Sequence, residues 1–200
     1  MSVPELLNKS KELTSWIDTS VHGVSISTSL RNSIAAACFD VVHEHRKAIL
    51  LLVENKLIGS AFSLFRPEFE TFVRGVWALR CASDKELSDY ENDKVDSNLS
   101  ELIAAIEALD PWNVGLLSNI KRTAWASMCS YAHGGGLQIS RRFTKDAIAS
   151  NYSDGSIVEV IHSTNFISLM AVCEIAAVAN DPNLGKLANE KLAAYFPSQP

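Results

Sequence analysis

This chain predicts an all-α fold, a single helical domain over residues 1–200 built as a bundle of about seven helices. Three observations predict it. Apolar residues recur at three- and four-residue spacing nearly throughout, with no convincing strand alternation. Capping residues, glycines and prolines fall where those periodic stretches begin and end. The composition, 47% apolar and 20% charged, supplies a sizeable core and excludes disordered and fibrous classes. Two hundred residues suit one domain.

The elements follow in order. A first helix is expected from Pro4 to Thr19, with proline near its start and His22-Gly23 closing it. Val24 to Thr28 is the one weakly extended stretch, and Ser27 to Ser29 can cap the next helix, Leu30 to Glu54. Ile34, Cys38, Val41, Val42, Ile49, Leu52 and Val53 supply most of its apolar face. A break at Lys56 to Ser60, containing Gly59, precedes a helix ending near Cys81. Pro67 lies inside that helix and predicts a kink or a fresh first turn, because proline removes a backbone donor. Asp84 to Asp96 reads as a short acidic helix, and Leu99 to Leu109 as an amphipathic one stopped by Asp110-Pro111. Trp112 to His133 is expected to be one helix, ended by three glycines. A long polar loop, 134–156, has turn signals at Asn151 and Asp154-Gly155. Ile157 to Asn180 is a long apolar helix stopped by Asp181-Pro182, and a short C-terminal helix spans 184–195.

Charge is distributed unevenly. The formal net charge of −5 argues against a binder that meets nucleic acid with its whole surface. Asp84 to Asp110 holds nine acidic residues and two lysines, whereas Pro111 to Lys145 holds no Asp or Glu and five bases: Lys121, Arg122, Arg141, Arg142 and Lys145. Such a locally basic segment suits a phosphate contact, and equally suits packing against the acidic segment of the same chain or of a partner. Four cysteines, at 38, 81, 129 and 173, stand more than forty residues apart with no Cys-x-x-Cys, the pattern of reduced thiols in a cytoplasmic protein. The first residues, Met-Ser-Val-Pro-Glu, have no signal-peptide pattern. The longest apolar run, Phe166 to Ala179, carries Glu174 and is too short to span a bilayer, so no membrane partner is expected.

Two stretches carry the chemistry. In the first, Arg66, Glu70 and Arg74 stand at four-residue spacing, with Trp77 extending the face and Phe65, Phe69, Phe72 and Val76 covering the adjoining one. Charges this close to aromatic surface are partly desolvated and need partners. Two arginines around a carboxylate suit either an intrahelical ion-pair ladder or the binding of a phosphate oxyanion. The second stretch is Ser130-Tyr-Ala-His133-Gly-Gly-Gly136. His133 sits at a helix C-terminus, with Arg122, Ala126 and Cys129 on its face. It suits a general acid/base or a C-cap followed by a Schellman-type glycine turn. Gly134-Gly-Gly136 follows a helix instead of opening one, so any bound phosphate would draw its charge from Arg141 and Arg142. Glu174 is expected to pair with Arg66, Arg74 or Arg80, or to face solvent. No metal or cofactor is expected. His43 and His45 point about 200° apart on a helix, and no repeated Glu-x-x-His is present.

The helix reading Leu64-Phe-Arg66-Pro-Glu-Phe-Glu70, followed by Tyr131-Ala-His133-Gly-Gly, resembles bacterial all-helical proteins grouped loosely with the HEPN-like superfamily. The resemblance covers roughly Ser60 to Arg142. It implies a helical bundle, a homodimer, and kinship with RNA-cutting toxins and phage-defence components. HEPN-like nucleases carry Arg, then four to six residues, then His on one helix. That spacing is absent here, since Arg122 precedes His133 by eleven residues.

Two function classes are therefore expected. In one, the protein is a metal-independent ribonuclease or nucleic-acid binder. His133 is then the general acid/base, Arg66 and Arg74 stabilise phosphate charge, Glu70 orients Arg66, and Arg122, Arg141, Arg142 and Lys145 contact the backbone. In the other, it is a non-enzymatic interaction or dimerisation module, and the same cluster fixes helix register. The Ala-rich 171–179 stretch offers a flat surface for close packing between copies.

Overall fold

The computed structural model describes residues 1–94 and 98–196. It is all-helical in a single domain. Nine α-helices form among the described residues: α1 (Val3–Val21), α2 (Leu30–Glu54), α3 (Ile58–Arg80), α4 (Asp84–Glu91), α5 (Leu99–Glu107), α6 (Leu116–Ala132), α7 (Gly136–Ser140), α8 (Asp154–Ala179) and α9 (Pro182–Tyr195).

Side-chain caps set several boundaries. Ser2 with Glu5, Ser83 with Glu86 and Asn98 with Glu101 each close a capping box. Ser29 and Ser153 cap α2 and α8. The turn signal expected at Asp154-Gly155 is thus the first turn of α8, three residues before the expected start. The short acidic helix ends at Glu91, and the rest of the acidic segment, including Asp96, lies partly outside the described residues.

Three other boundaries differ from expectation. The break after α2 is Asn55–Leu57, so Gly59 and Ser60 belong to α3. That helix passes uninterrupted through Pro67 with no fresh first turn, because its aromatic face is anchored in the core on both sides of the proline. Gly115, left-handed at φ 71°, divides the expected Trp112–His133 helix into a 3-10 turn, Trp112–Val114, and α6. The expected 134–156 loop contains α7, then a small turn in which Phe143 bridges Ile148 and Thr144 N–H donates to the Ala147 carbonyl (3.0 Å).

The hairpin of α2 and α3 is the frame. The two cross so closely that a Cβ at Gly75 would lie 2.7 Å from the Phe39 ring. Helix α8 lies across both, with α1 packed against α8 and α2, and α9 packed against α8, while α5 and α6 pack on α3. One core joins α2, α3, α5 and α6 around Phe39, Phe69, Phe72 and Trp112. A second lies where α1, α2 and α8 meet at Leu6, Ile49 and Ile161, and a third where α1, α8 and α9 meet at Leu13, Leu169 and Leu184.

Helix α8 is long and apolar enough to cross a membrane by length and composition, and it serves instead as the central helix of the bundle. Its Ala171 is buried in the core with α2 and α3 and its Ala176 in the core with α1 and α9, while Ala177 stays exposed, so the Ala-rich stretch is covered in part within the chain. On α2, Val41 is 38% exposed whereas His43 and Arg46 are buried, so the core-facing side carries two basic residues absent from the expected apolar face.

Candidate functional site

Arg66, Glu70 and His133 meet. Helix α3 carries Arg66 and Glu70 one turn apart on its half-buried flank, and α6 ends beside them. Arg66 Nε donates to Glu70 Oε1 at 2.6 Å, and an Arg66 terminal nitrogen donates to His133 Nε2. A guanidinium has no acceptor. His133 Nε2 therefore accepts, and a neutral ring keeps its proton on Nδ1. The guanidinium lies over the Trp125 ring, 4.7 Å from its centre, and Lys121 Nζ approaches that ring at 5.5 Å. His133 is exposed, and the Arg66 and Glu70 side chains retain 21% and 27% of their accessible surface. The cluster is therefore open to solvent at His133.

Local backbone geometry places His133. It is the C-cap of α6, its N–H donating to the Cys129 carbonyl at 3.0 Å. Gly134 follows in the left-handed region at φ 64°, and Gly135 N–H returns to the Ser130 carbonyl at 2.7 Å. That bond closes a Schellman motif. A Cβ on Gly135 would sit 2.6 Å from Ser130 Oγ, so this glycine is required by close approach. The turn is both the cap and the mount for the histidine. Cys129 contributes only its backbone carbonyl to His133.

Arg74 is not part of this cluster. Two further turns along α3 carry it about 12 Å from Arg66. Its guanidinium stands over Tyr90 at 5.9 Å, beside the Tyr90 hydroxyl and Cys38 sulfur, which lie 3.7 Å apart. Among the described residues Glu70 pairs with Arg66 alone. Trp77 is buried in the core.

The four expected backbone-contacting bases are dispersed over three elements. Arg122 is exposed on α6, donates to Asn119 Oδ1 at 2.5 Å, and lines a cleft between α5 and α6 with Lys121, Trp125, Ser100 and Glu107. Arg141 is half-buried at the end of α7, lining a separate groove on the other flank of α6. Arg142 and Lys145 are exposed on the turn that follows α7. Among the described residues no ion pair joins the acidic 84–110 segment to the basic 111–145 segment. The acidic segment's ion pairs are Arg31 with Asp84 and Lys85 with Asp89. Trp125 is the member of the cluster absent from the sequence expectation, and Lys121, expected only as one of the five bases of its segment, stands over the same ring. Their four-residue spacing on α6 was the available signal.

A second polar network lies deep between α1, α2, α3 and α8. Arg46 donates to Asn165 Oδ1 (2.9 Å), Thr14 Oγ1 (2.8 Å) and the Ser10 carbonyl (2.8 Å). Glu68, fully buried, meets Thr164 Oγ1 at 2.6 and 2.7 Å. Burial pushes its carboxyl up to about 8, opposed by the Thr164 hydrogen bond and by Arg46. His43 meets Ser168 at 3.2 Å, and burial, reinforced by Arg46 and Lys47, lowers it to about 4. Glu174 pairs with Arg80, one of the three partners expected, at 2.9 and 3.0 Å. Burial raises this carboxyl, and Arg80 opposes the shift. No group of three or more His, Cys, Asp and Glu side chains suited to a metal exists among the described residues.

The model of one protein family, described as a family of unknown function (DUF6988), matches residues 39–199. The matched span includes the whole Arg66–Glu70–His133 cluster. No curated protein and no solved structure matches the chain.

Proposed function

The chain belongs to the DUF6988 family, and from that premise we propose that it is a HEPN-like, metal-independent protein that binds and cleaves RNA as a homodimer. One observation carries this reading: an exposed histidine is held by an arginine that is itself aligned by a carboxylate, Glu70–Arg66–His133. Arg66 presents a charged fork suited to a phosphate oxyanion. When a phosphodiester draws that fork away, His133 Nε2 regains its lone pair and takes the proton of the 2′-hydroxyl. The 2′-oxygen then bonds to phosphorus as the bond to the 5′-oxygen breaks, and the leaving oxygen is protonated by the imidazolium. The products are a 2′,3′-cyclic phosphate and a 5′-hydroxyl. Arg66 offsets charge on the phosphoryl oxygens, and Glu70, bonded to Nε, anchors the guanidinium as its terminal nitrogens turn to the phosphate. Trp125, Lys121 and Arg122 provide a stacking face and backbone contacts on the neighbouring cleft.

The test is cleavage of single-stranded RNA, or toxicity on expression, by wild type against His133→Ala and Arg66→Ala. Loss in both variants with RNA binding retained in His133→Ala supports the reading. Undiminished cleavage by His133→Ala, or no RNA binding by wild type, removes it.

A second reading rests on a different observation. Ile139, Phe143 and Ile148 are 49, 54 and 72% exposed on α7 and the turn after it. Exposed apolar side chains of that kind suit a protein contact. A non-enzymatic module would use them while the cluster only fixed helix register.

A further inference from the structure

Helix α6 rides on α3 with a cleft on each flank. The flank away from Trp125 is a groove between α6 and α8, floored by Phe62 and Phe65 of α3. Its first compartment is a cavity of about 220 Å³. It opens into a second that shares Phe65, Ala124, Glu159 and Ser163 and ends at Phe166 and Phe196.

Four of the polar side chains at the first compartment are unused, while Thr123 bonds within α6 and Ser156 bonds Ser153, the cap of α8. Arg141 and Glu159 both line it, yet neither makes an ion pair or a side-chain hydrogen bond among the described residues. The hydroxyls of Ser127 and Ser163 are likewise unengaged, although most other serines of the chain bond a neighbouring carbonyl, amide or side chain. In the adjoining compartment His162 Nδ1 is buried with no partner among the described residues. One cation, one anion and free hydroxyls thus surround an apolar floor in a space of small-molecule size.

We propose that this groove binds a free α-amino acid with an aromatic or branched apolar side chain, its carboxylate on Arg141 and its ammonium on Glu159. The charges select this class. A fatty carboxylate would satisfy Arg141 and leave Glu159 facing an anion. A nucleotide phosphate would also meet that repulsion and brings no cation. A polypeptide end carries only one of the two charges. An α-amino acid carries both on one carbon, and its side chain occupies the Phe65 floor. The site lies across α6 from His133 and stands independently of the RNA reading.

The experiment is calorimetric titration and thermal melting of the full chain with L-phenylalanine and L-leucine. Two analogues each lack one charge: 3-phenylpropionate and phenethylamine. Saturable binding of the amino acids is expected, with each analogue at least about tenfold weaker. Arg141→Ala and Glu159→Gln should each weaken L-phenylalanine by a similar factor. Both side chains are unpaired, so the melting temperature of the ligand-free variants should stay at the wild-type value. Ser163→Trp, which fills the groove, should abolish binding. The proposal is overturned by no saturable binding of either amino acid, by analogues that bind as well as the zwitterions, by affinity indifferent to Arg141→Ala and Glu159→Gln, or by a nucleoside monophosphate that binds more tightly.

Discussion

The Arg66 guanidinium lies over the Trp125 indole with 4.7 Å between them, and it does so while holding both Glu70 and His133. The ring fixes the plane of the fork, Glu70 takes one edge, and His133 takes another. Arginine alone suits all three contacts, since lysine offers a point charge without a planar fork.

Arg66→Lys is therefore expected to weaken RNA binding and cleavage while the fold persists. The pair is more than a fifth exposed, so its contribution to stability is small, about 1 kcal/mol or less. Circular dichroism melts beside a gel-shift assay check both halves. A large fall in melting temperature with unchanged RNA affinity would assign Arg66 to the fold alone.

His133→Ala is expected to abolish cleavage and shift the melting temperature by only a few degrees. The side chain is exposed, and the cap bonds come from the backbone of His133 and Gly135, which alanine retains. A loss of about 1 kcal/mol corresponds to roughly 2–4 °C at this chain length.

Glu68 should make stability depend on pH. Its folded value, about 8, lies above the ordinary 4.5, so the proton is held more tightly in the folded state. The stabilisation is complete below about 4.5 and is lost as pH rises towards 8. His43 has the opposite sense. It is lowered to about 4, and its contribution is lost as pH falls below 6.5. Between pH 6.5 and 8 Glu68 therefore dominates this pair, and stability should fall with rising pH. Glu68→Gln should flatten that slope. Denaturant unfolding at pH 6.5 and 8 measures it, and an unchanged slope in the variant would contradict a protonated Glu68.

Arg80→Ala removes the partner of the buried Glu174 carboxylate. Breaking one side of such a pair costs about 3–5 kcal/mol when the remaining charge has no escape. Arg80 is partly exposed, so the lower end is expected. Arg80→Ala/Glu174→Gln should recover much of the loss, and a double variant no better than the single would show that Glu174 tolerates isolation.

Homodimerisation is expected to weaken with salt if the acidic and basic segments meet across a two-fold axis, because no ion pair joins the two segments within the chain among the described residues. Analytical ultracentrifugation at low and high salt decides it. A dimer indifferent to salt moves the interface to Ile139, Phe143 and Ile148, and a monomer at every salt concentration removes it.

Much of the helical order was legible in the chain because its signals are local. Ser29, Gly134 and Pro182 act within a few residues of themselves, and the three- and four-residue spacing of Phe65, Phe69, Phe72 and Val76 marks a buried face without reference to anything distant. The pairing of Arg66 with Glu70 belongs to the same kind, one turn of one helix. The tertiary structure decided what those side chains meet. Arg74 shares the Arg66 spacing, yet it ends over Tyr90, because α4 packs there while α6 covers Arg66. Glu68 and Arg46 look like surface charges in sequence and lie in the core, where Thr164, Asn165, Ser10 and Thr14 from distant elements satisfy them. Arg141, at the end of α7, and Glu159 of α8 line one groove because α6, against which α7 packs, and α8 both rest on α3. Helix formation is set by neighbours in sequence. Burial of a charge and convergence on a cavity depend on contacts between segments tens of residues apart, which no local pattern encodes.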